Sequence, residues 1–179
     1  KIGQGTDTIG SVFRKPQQSF WWVVRWIFIA VFFCYAASMG TNMFFMLLEK
    51  ITGVQLVQTD FSAENNTFSQ VVNIISITFM APLFEEILIR GGMLNNIKRF
   101  GSWSAVISTG IFFGLLHMNY PQVPFAAVMG IVTAFIALKT KSIIPTIIVH
   151  FIVNGIGGAA SLITGKLDIK AMQSGDFTT

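Results

Sequence analysis

Charge is scarce in this chain. Only 11% of its residues are charged, with 8 acidic side chains in all, while 53% are hydrophobic and the mean hydropathy is +0.65. Soluble domains carry about 25% charged residues, so the composition excludes an ordinary soluble domain and describes an integral membrane protein. Cysteine is nearly missing as well. The single one, Cys34, lies inside an apolar run with no partner for an intramolecular disulfide, which removes oxidative stapling and leaves a small packing or lipid-facing residue. There are two histidines, and neither belongs to an HExxH pair or another compact ligand pair on one helix. No internal repeat or low-complexity tract is present, and no segment has the short apolar core and small-residue cleavage site of a signal peptide. The net charge of +4 is a topology signal, with no nucleic acid implied as a partner.

What fills the chain is apolar sequence. Five runs stand out, at 26–48, 68–97, 103–117, 123–138 and 143–164, and they predict an all-α, polytopic transmembrane helical bundle of about five or six membrane segments. The 179 residues then form one membrane-embedded domain, 1–179, whose motif-bearing core covers about 68–164. The chain starts on Lys1 instead of methionine, as a fragment lacking N-terminal helices would. Trp21, Trp22 and Trp26 with Arg25 make an interfacial belt with a snorkelling cation. Residues 59–67 read as a polar loop, and those after Gly165 as an exposed tail. With five crossings, Lys1, Arg14, Lys15 and Arg25 share a side with Lys98, Arg99, Lys139 and Lys141, which makes that side cytoplasmic.

Against this background two adjacent carboxylates, Glu85 and Glu86, interrupt the run from Phe79 to Arg90. An ionisable group at bilayer depth costs about 2.5 to 3.5 kcal/mol on insertion scales and marks a working site lined by protein. Counting about 1.5 Å per residue from the cytoplasmic turns puts Glu85 roughly 21 Å deep, His117 roughly 24 Å, His150 roughly 13 Å and Asn154 roughly 20 Å. Three separate helices therefore deliver Glu85, His117 and the i, i+4 pair His150/Asn154 to one stratum. Glu86 and Arg90 are likewise spaced i, i+4, as a salt-bridged pair would be. The 103–117 run is too short to cross about 30 Å of hydrocarbon. Its end at His117, before Asn119, Pro121 and Pro124, is expected to open a polar pocket from within.

Three motifs in these segments resemble a known family. Glu85-Glu86-Ile-Leu-Ile-Arg90 matches EExxxR, Phe113-Gly-Leu-Leu-His117 matches FxxxH, and His150-Phe-Ile-Val-Asn154 matches HxxxN. Each is weak alone; together, in this order, they resemble the CPBP family of membrane-embedded CAAX proteases and bacteriocin-processing enzymes, also called the Abi family. The resemblance covers Phe79 to about Gly158, with the short chain closest to prokaryotic members. It implies a glutamate-type intramembrane endopeptidase of the prokaryotic cytoplasmic membrane, acting on a membrane-associated protein or peptide within the lipid bilayer. It further implies catalytic roles for Glu85, Glu86, His117, His150 and Asn154, with Arg90 and Phe113 organising the site. Glu85 with His117 would hold and activate the water, and His150 with Asn154 would stabilise the oxyanion.

Other readings of the same residues stay open. Glu85, His117 and His150 could ligate zinc with one position open for water, although the family resemblance implies catalysis with no cofactor. Buried Glu, Arg and His also serve as proton relays in transporters, but no inverted repeat supports that. A protein of this fold could act without catalysis, docking a membrane partner in bacteriocin immunity or sensor regulation.

Overall fold

The computed structural model describes residues 12–54 and 67–166. Of the loop expected at 59–67, residues 59–66 lie outside the described residues, as do Lys1 and the tail beyond 166; Thr67 already begins a helix and Lys166 ends one. Among the described residues the architecture is all helical, with five apolar helices.

Helix α1 (Phe20–Thr52) opens on Ser19, whose hydroxyl accepts from the Trp22 amide at 3.3 Å, a side-chain N-cap. It closes on Gly53, left-handed at φ 70°, whose amide donates to the Glu49 carbonyl at 2.8 Å. The helix runs past both ends of the apolar 26–48 run, so the tryptophan belt is itself helical. Helix α2 covers 67–100 in alternating pieces. Regular turns at Thr67–Ile75, Ala81–Glu86 and Asn95–Ile97 are separated by π turns at Ser76–Met80 and Ile87–Leu94, and a 3-10 turn at Lys98–Phe100 ends it. Helices α3 (Ser102–Leu116), α4 (Val123–Thr140) and α5 (Ile144–Lys166) follow. By length and composition α1, the 71–100 part of α2, and α4 can each cross a bilayer, whereas α3 and the 144–160 part of α5 are shorter apolar helices.

The core forms where α4 meets its neighbours. Helices α3 and α4 make an antiparallel hairpin whose approach is set by glycine: a Cβ on Gly110 would lie 2.6 Å from the Ile131 amide nitrogen, and one on Gly130 would lie 2.8 Å from the Gly110 Cα. Membrane helices use small residues in this way because close packing, in the absence of a hydrophobic drive, holds them together. Helix α1 crosses the other side of α4 and α5. There Trp26 packs on Phe135 with centroids 5.0 Å apart, and the Tyr35 hydroxyl donates to the Val153 carbonyl at 3.1 Å.

The basic turns expected on one side do gather at one end. A strap of residues 12–18 crosses the α4–α5 turn. Along it the Gln17 amide donates to the Thr140 carbonyl (3.0 Å), the Ile143 amide to the Val12 carbonyl (2.9 Å), and Arg14 Nε to the Lys141 carbonyl (2.7 Å). Val12 is buried against Ile143 and Ile147. The strap thus seals one end of the bundle.

Gly110→Ala or Gly130→Ala is expected to destabilise the protein by about 1–3 kcal/mol, the usual cost of overpacking. Gly157→Ala serves as the control, because nothing lies within 4 Å of the Cβ it would add. Thermal melts of the detergent-solubilised variants read the difference; equal melting temperatures for all three would show that the hairpin does not depend on glycine contact.

Candidate active site

Glu86 is the innermost acid. Its side chain has no solvent exposure, and Oε1 is approached from two sides: Arg90 Nη1 lies at 3.0 Å and His150 Nδ1 at 3.0 Å. The first contact is the i, i+4 pair expected from sequence. The second joins α2 to α5. Arg90, itself wholly buried, sends Nη2 across to α4, where it donates to Thr133 Oγ1 at 2.5 Å and to the Gly130 carbonyl at 3.3 Å. Thr133 in turn donates to the Met129 carbonyl at 2.7 Å. One ion pair therefore ties three helices together.

Phe113 occupies the centre of the cluster. The Arg90 guanidinium sits 4.4 Å over its ring, a cation–π contact in a desolvated place. Its ring also meets His117 at 5.1 Å and His150 at 5.6 Å between centroids, both edge to face. The three FxxxH and HxxxN aromatics thus form one edge-to-face cluster, with Phe113 between the imidazoles. His117 caps the end of α3 and places Nδ1 3.0 Å from the Phe113 carbonyl.

Glu85 is the more exposed acid of the pair. Its side chain keeps 36% of its surface, and Oε2 lies 3.6 Å from His150 Nε2. His150 therefore stands between the two carboxylates, one sealed and one open. Among the described residues no hydrogen bond or ion pair joins Glu85 to His117; the imidazole that faces Glu85 is His150. The depth count, which assumes straight α-helix, brings Glu85, His117 and His150 to one stratum without showing which imidazole touches Glu85. The π turn at Ile87–Leu94 breaks that assumption between Glu85 and the cytoplasmic turn, and π turns of this kind recur at functional sites.

Asn154 is placed by a proline on another helix. In the π turn the Ala81 amide donates to the Ser76 carbonyl, five residues back. The next amide in that pattern would be residue 82, reaching Ile77, but Pro82 has no N–H. Asn154 Nδ2 supplies the missing donor, 2.9 Å from the Ile77 carbonyl. Neighbouring helices satisfy proline-freed carbonyls in membranes in this manner.

Among the described residues no group of three or more His, Cys, Asp and Glu side chains is placed to hold a metal ion, so the set Glu85, His117 and His150 is not assembled as ligands. The polar pocket expected at the end of α3 does form, as a cavity of about 230 Å³ lined by Ser38, Thr41, Asn42, Asn119, Pro121, Gln122 and Phe125. His117 borders that turn without lining the cavity. Sequence reasoning missed Thr133 and the Ile77 carbonyl. A threonine inside an apolar helix and a proline five residues beyond a carbonyl were the available signals.

Fold and cluster together define a polytopic helical membrane protein with a buried carboxylate–imidazole centre. The family of type II CAAX prenyl endopeptidase Rce1-like proteins has a sequence model that matches residues 67–156, about half the chain, and the chain belongs to this family. The matched span contains every residue of the cluster. Comparison with curated proteins and with solved structures returns no match. The family is one of membrane proteases, in keeping with the apolar helices.

Arg90→Met should strand the Glu86 charge and cost about 3–5 kcal/mol, while the Glu86→Gln/Arg90→Met double variant should regain a large part of it. A double-mutant cycle on melting free energies checks this, and purely additive losses would dissociate the two residues. Asn154→Ala should cost about 1–3 kcal/mol by orphaning a buried carbonyl. In a Pro82→Ala background, where residue 82 regains its N–H, the same change should cost measurably less; an equal cost in both backgrounds would rule out the proline as the reason for the Asn154 contact.

Proposed function

We propose that the chain is an intramembrane endopeptidase that hydrolyses a peptide bond in a membrane-associated protein or peptide, with Glu85 as the base that activates water. The observation that carries this reading is the His150 ring held between unequal carboxylates, Glu86 sealed on Nδ1 and Glu85 open toward Nε2. An ionised carboxylate only accepts, so Glu86 makes Nδ1 the N–H side of the ring. Nε2 is left to exchange a proton with Glu85 or to bond a species beside it.

In the proposed cycle Glu85 takes a proton from water and the hydroxide adds to the scissile carbonyl carbon. The carbonyl electron pair moves to oxygen. His150, carrying a proton on Nε2 as well as on Nδ1, and Asn154 donate to that oxyanion; Asn154 spends one of its two amide hydrogens on Ile77 and keeps the other. His117 acts with Glu85 in holding the water. As the C–N bond breaks, Glu85 returns its proton to the departing amine and is regenerated as a carboxylate. Glu86, Arg90 and Phe113 hold His150 in place, and no cofactor enters the cycle. The family's name supports a prenylated CAAX terminus as substrate, and the same groups would serve a bacteriocin leader peptide. We place the protein in the cytoplasmic membrane of a prokaryote, with the Lys98/Arg99 end inward.

The test is cleavage of a prenylated CAAX peptide by the purified full chain in lipid nanodiscs. Glu85→Gln should lower the rate by about 10²–10⁴, the usual contribution of a positioned base, and loss of the Asn154 donor by about 10²–10³. Chelation should leave the wild-type rate unchanged. Full activity in Glu85→Gln would overturn the assignment of the base, and a chelation loss restored by zinc would overturn the cofactor-free cycle.

A further inference from the structure

A second polar site lies away from the carboxylates, at the basic end of the bundle. A cavity of about 400 Å³ opens between the 12–18 strap, the end of α2 and the α4–α5 turn, within the roughly 300–1,000 Å³ range of small-ligand sites. Its polar walls are Arg14, Asn95, Lys98, Lys141 and Ser142, with Arg90 at the inner end, and among the described residues no acidic side chain lines it. Three of these cations come from three separate segments of the chain, so helix-end composition alone does not explain their convergence.

The geometry around the cavity is fixed by contacts already in place. Arg14 is anchored by Nε on the Lys141 carbonyl at 2.7 Å, and that carbonyl belongs to a residue held left-handed at φ 51°. Lys98 Nζ donates to Asn95 Oδ1 at 2.8 Å, and Asn95 donates to the Gly91 carbonyl at 3.0 Å. At the inner end, the buried Arg90 has an Nε with no hydrogen-bond partner among the described residues.

We propose that this cavity binds the phosphate of an anionic phospholipid headgroup. Phosphate matches the site because its oxygens accept from several cations at once. The lipid source follows from position: Lys98 and Lys141 stand at the ends of α2 and α4, at headgroup level in a bilayer-spanning bundle, where basic pockets between helices take anionic headgroups. A zwitterionic lipid carries an ammonium that the same cations repel. Occupation would brace the strap against α2 and α4, and it would do so whether or not the chain hydrolyses peptides.

The test titrates the purified full chain in detergent with short-chain phosphatidylglycerol, short-chain phosphatidylcholine and inorganic phosphate, reading binding by native mass spectrometry. Wild type should favour phosphatidylglycerol over both others. The Arg14→Gln/Lys98→Gln/Lys141→Gln variant should lose roughly a hundredfold in that affinity, from the contribution of three basic residues. A control, Arg25→Gln/Arg99→Gln/Lys139→Gln, removes equal charge outside the cavity and should keep the preference. Equal losses in both triple variants, or no preference in wild type, would overturn the site. Inorganic phosphate binding as tightly as phosphatidylglycerol would overturn the lipid as its source. Should the triple variant not fold, by thermal melt, Lys98→Gln and Lys141→Gln singly replace it, each expected to weaken binding by about fivefold.

Discussion

A carboxylate shut away from water must find its counter-charge inside the protein, and in Glu86 that requirement organises the bundle. Arg90 answers it from the same helix and His150 from α5. Because Arg90 is also fully buried, its other donors need acceptors too, and Nη2 takes them from Thr133 and the Gly130 carbonyl on α4. That reach across helices requires α4 to lie close, which the Gly110/Gly130 contact permits on its other side. Phe113 fills the space under the guanidinium. Removing the ion pair would therefore loosen α2, α4 and α5 together and free the His150 ring.

Backbone irregularity in α2 serves the same centre. Two π turns flank the short regular stretch Ala81–Glu86, and with Pro82 they leave the Ile77 carbonyl in need of a donor from outside the helix. Asn154 provides it. His150 and Asn154, one turn apart on α5, thus each meet α2: the imidazole at Glu86 and the carboxamide at Ile77. The seam between α2 and α5 joins these polar contacts to apolar ones such as the Phe79–Phe151 ring contact at 5.2 Å.

Much of this was legible in sequence because membrane chemistry makes polar residues conspicuous. Glu85, Glu86, Arg90, His150 and Asn154 stand out in apolar runs, and the i, i+4 spacing of Glu86 and Arg90 announced their pairing. The five apolar runs became five helices, with ends moved by a few residues where caps such as Ser19 and Gly53 govern. Less legible was which imidazole meets Glu85. Residue counting gives depth along a straight axis, and the π turns change both rise and facing, so counting does not show that His150 makes the direct contact with Glu85. Thr133 was hidden because a hydroxyl bonded within its own helix looks like any packing residue. The strap from Val12 to Gln18 was hidden for another reason: its bonds run to backbone groups of residues more than a hundred positions away, and backbone groups carry no sequence signature.

The most direct measurement compares protein termini in membranes of cells carrying the wild-type chain or Glu85→Gln at matched expression. New termini that arise with the wild type and vanish with Glu85→Gln are the predicted result, and they would name the substrate along with the activity. Identical termini, with the biological effect of the chain unchanged in Glu85→Gln, would contradict a peptidase and assign the protein to docking a membrane partner.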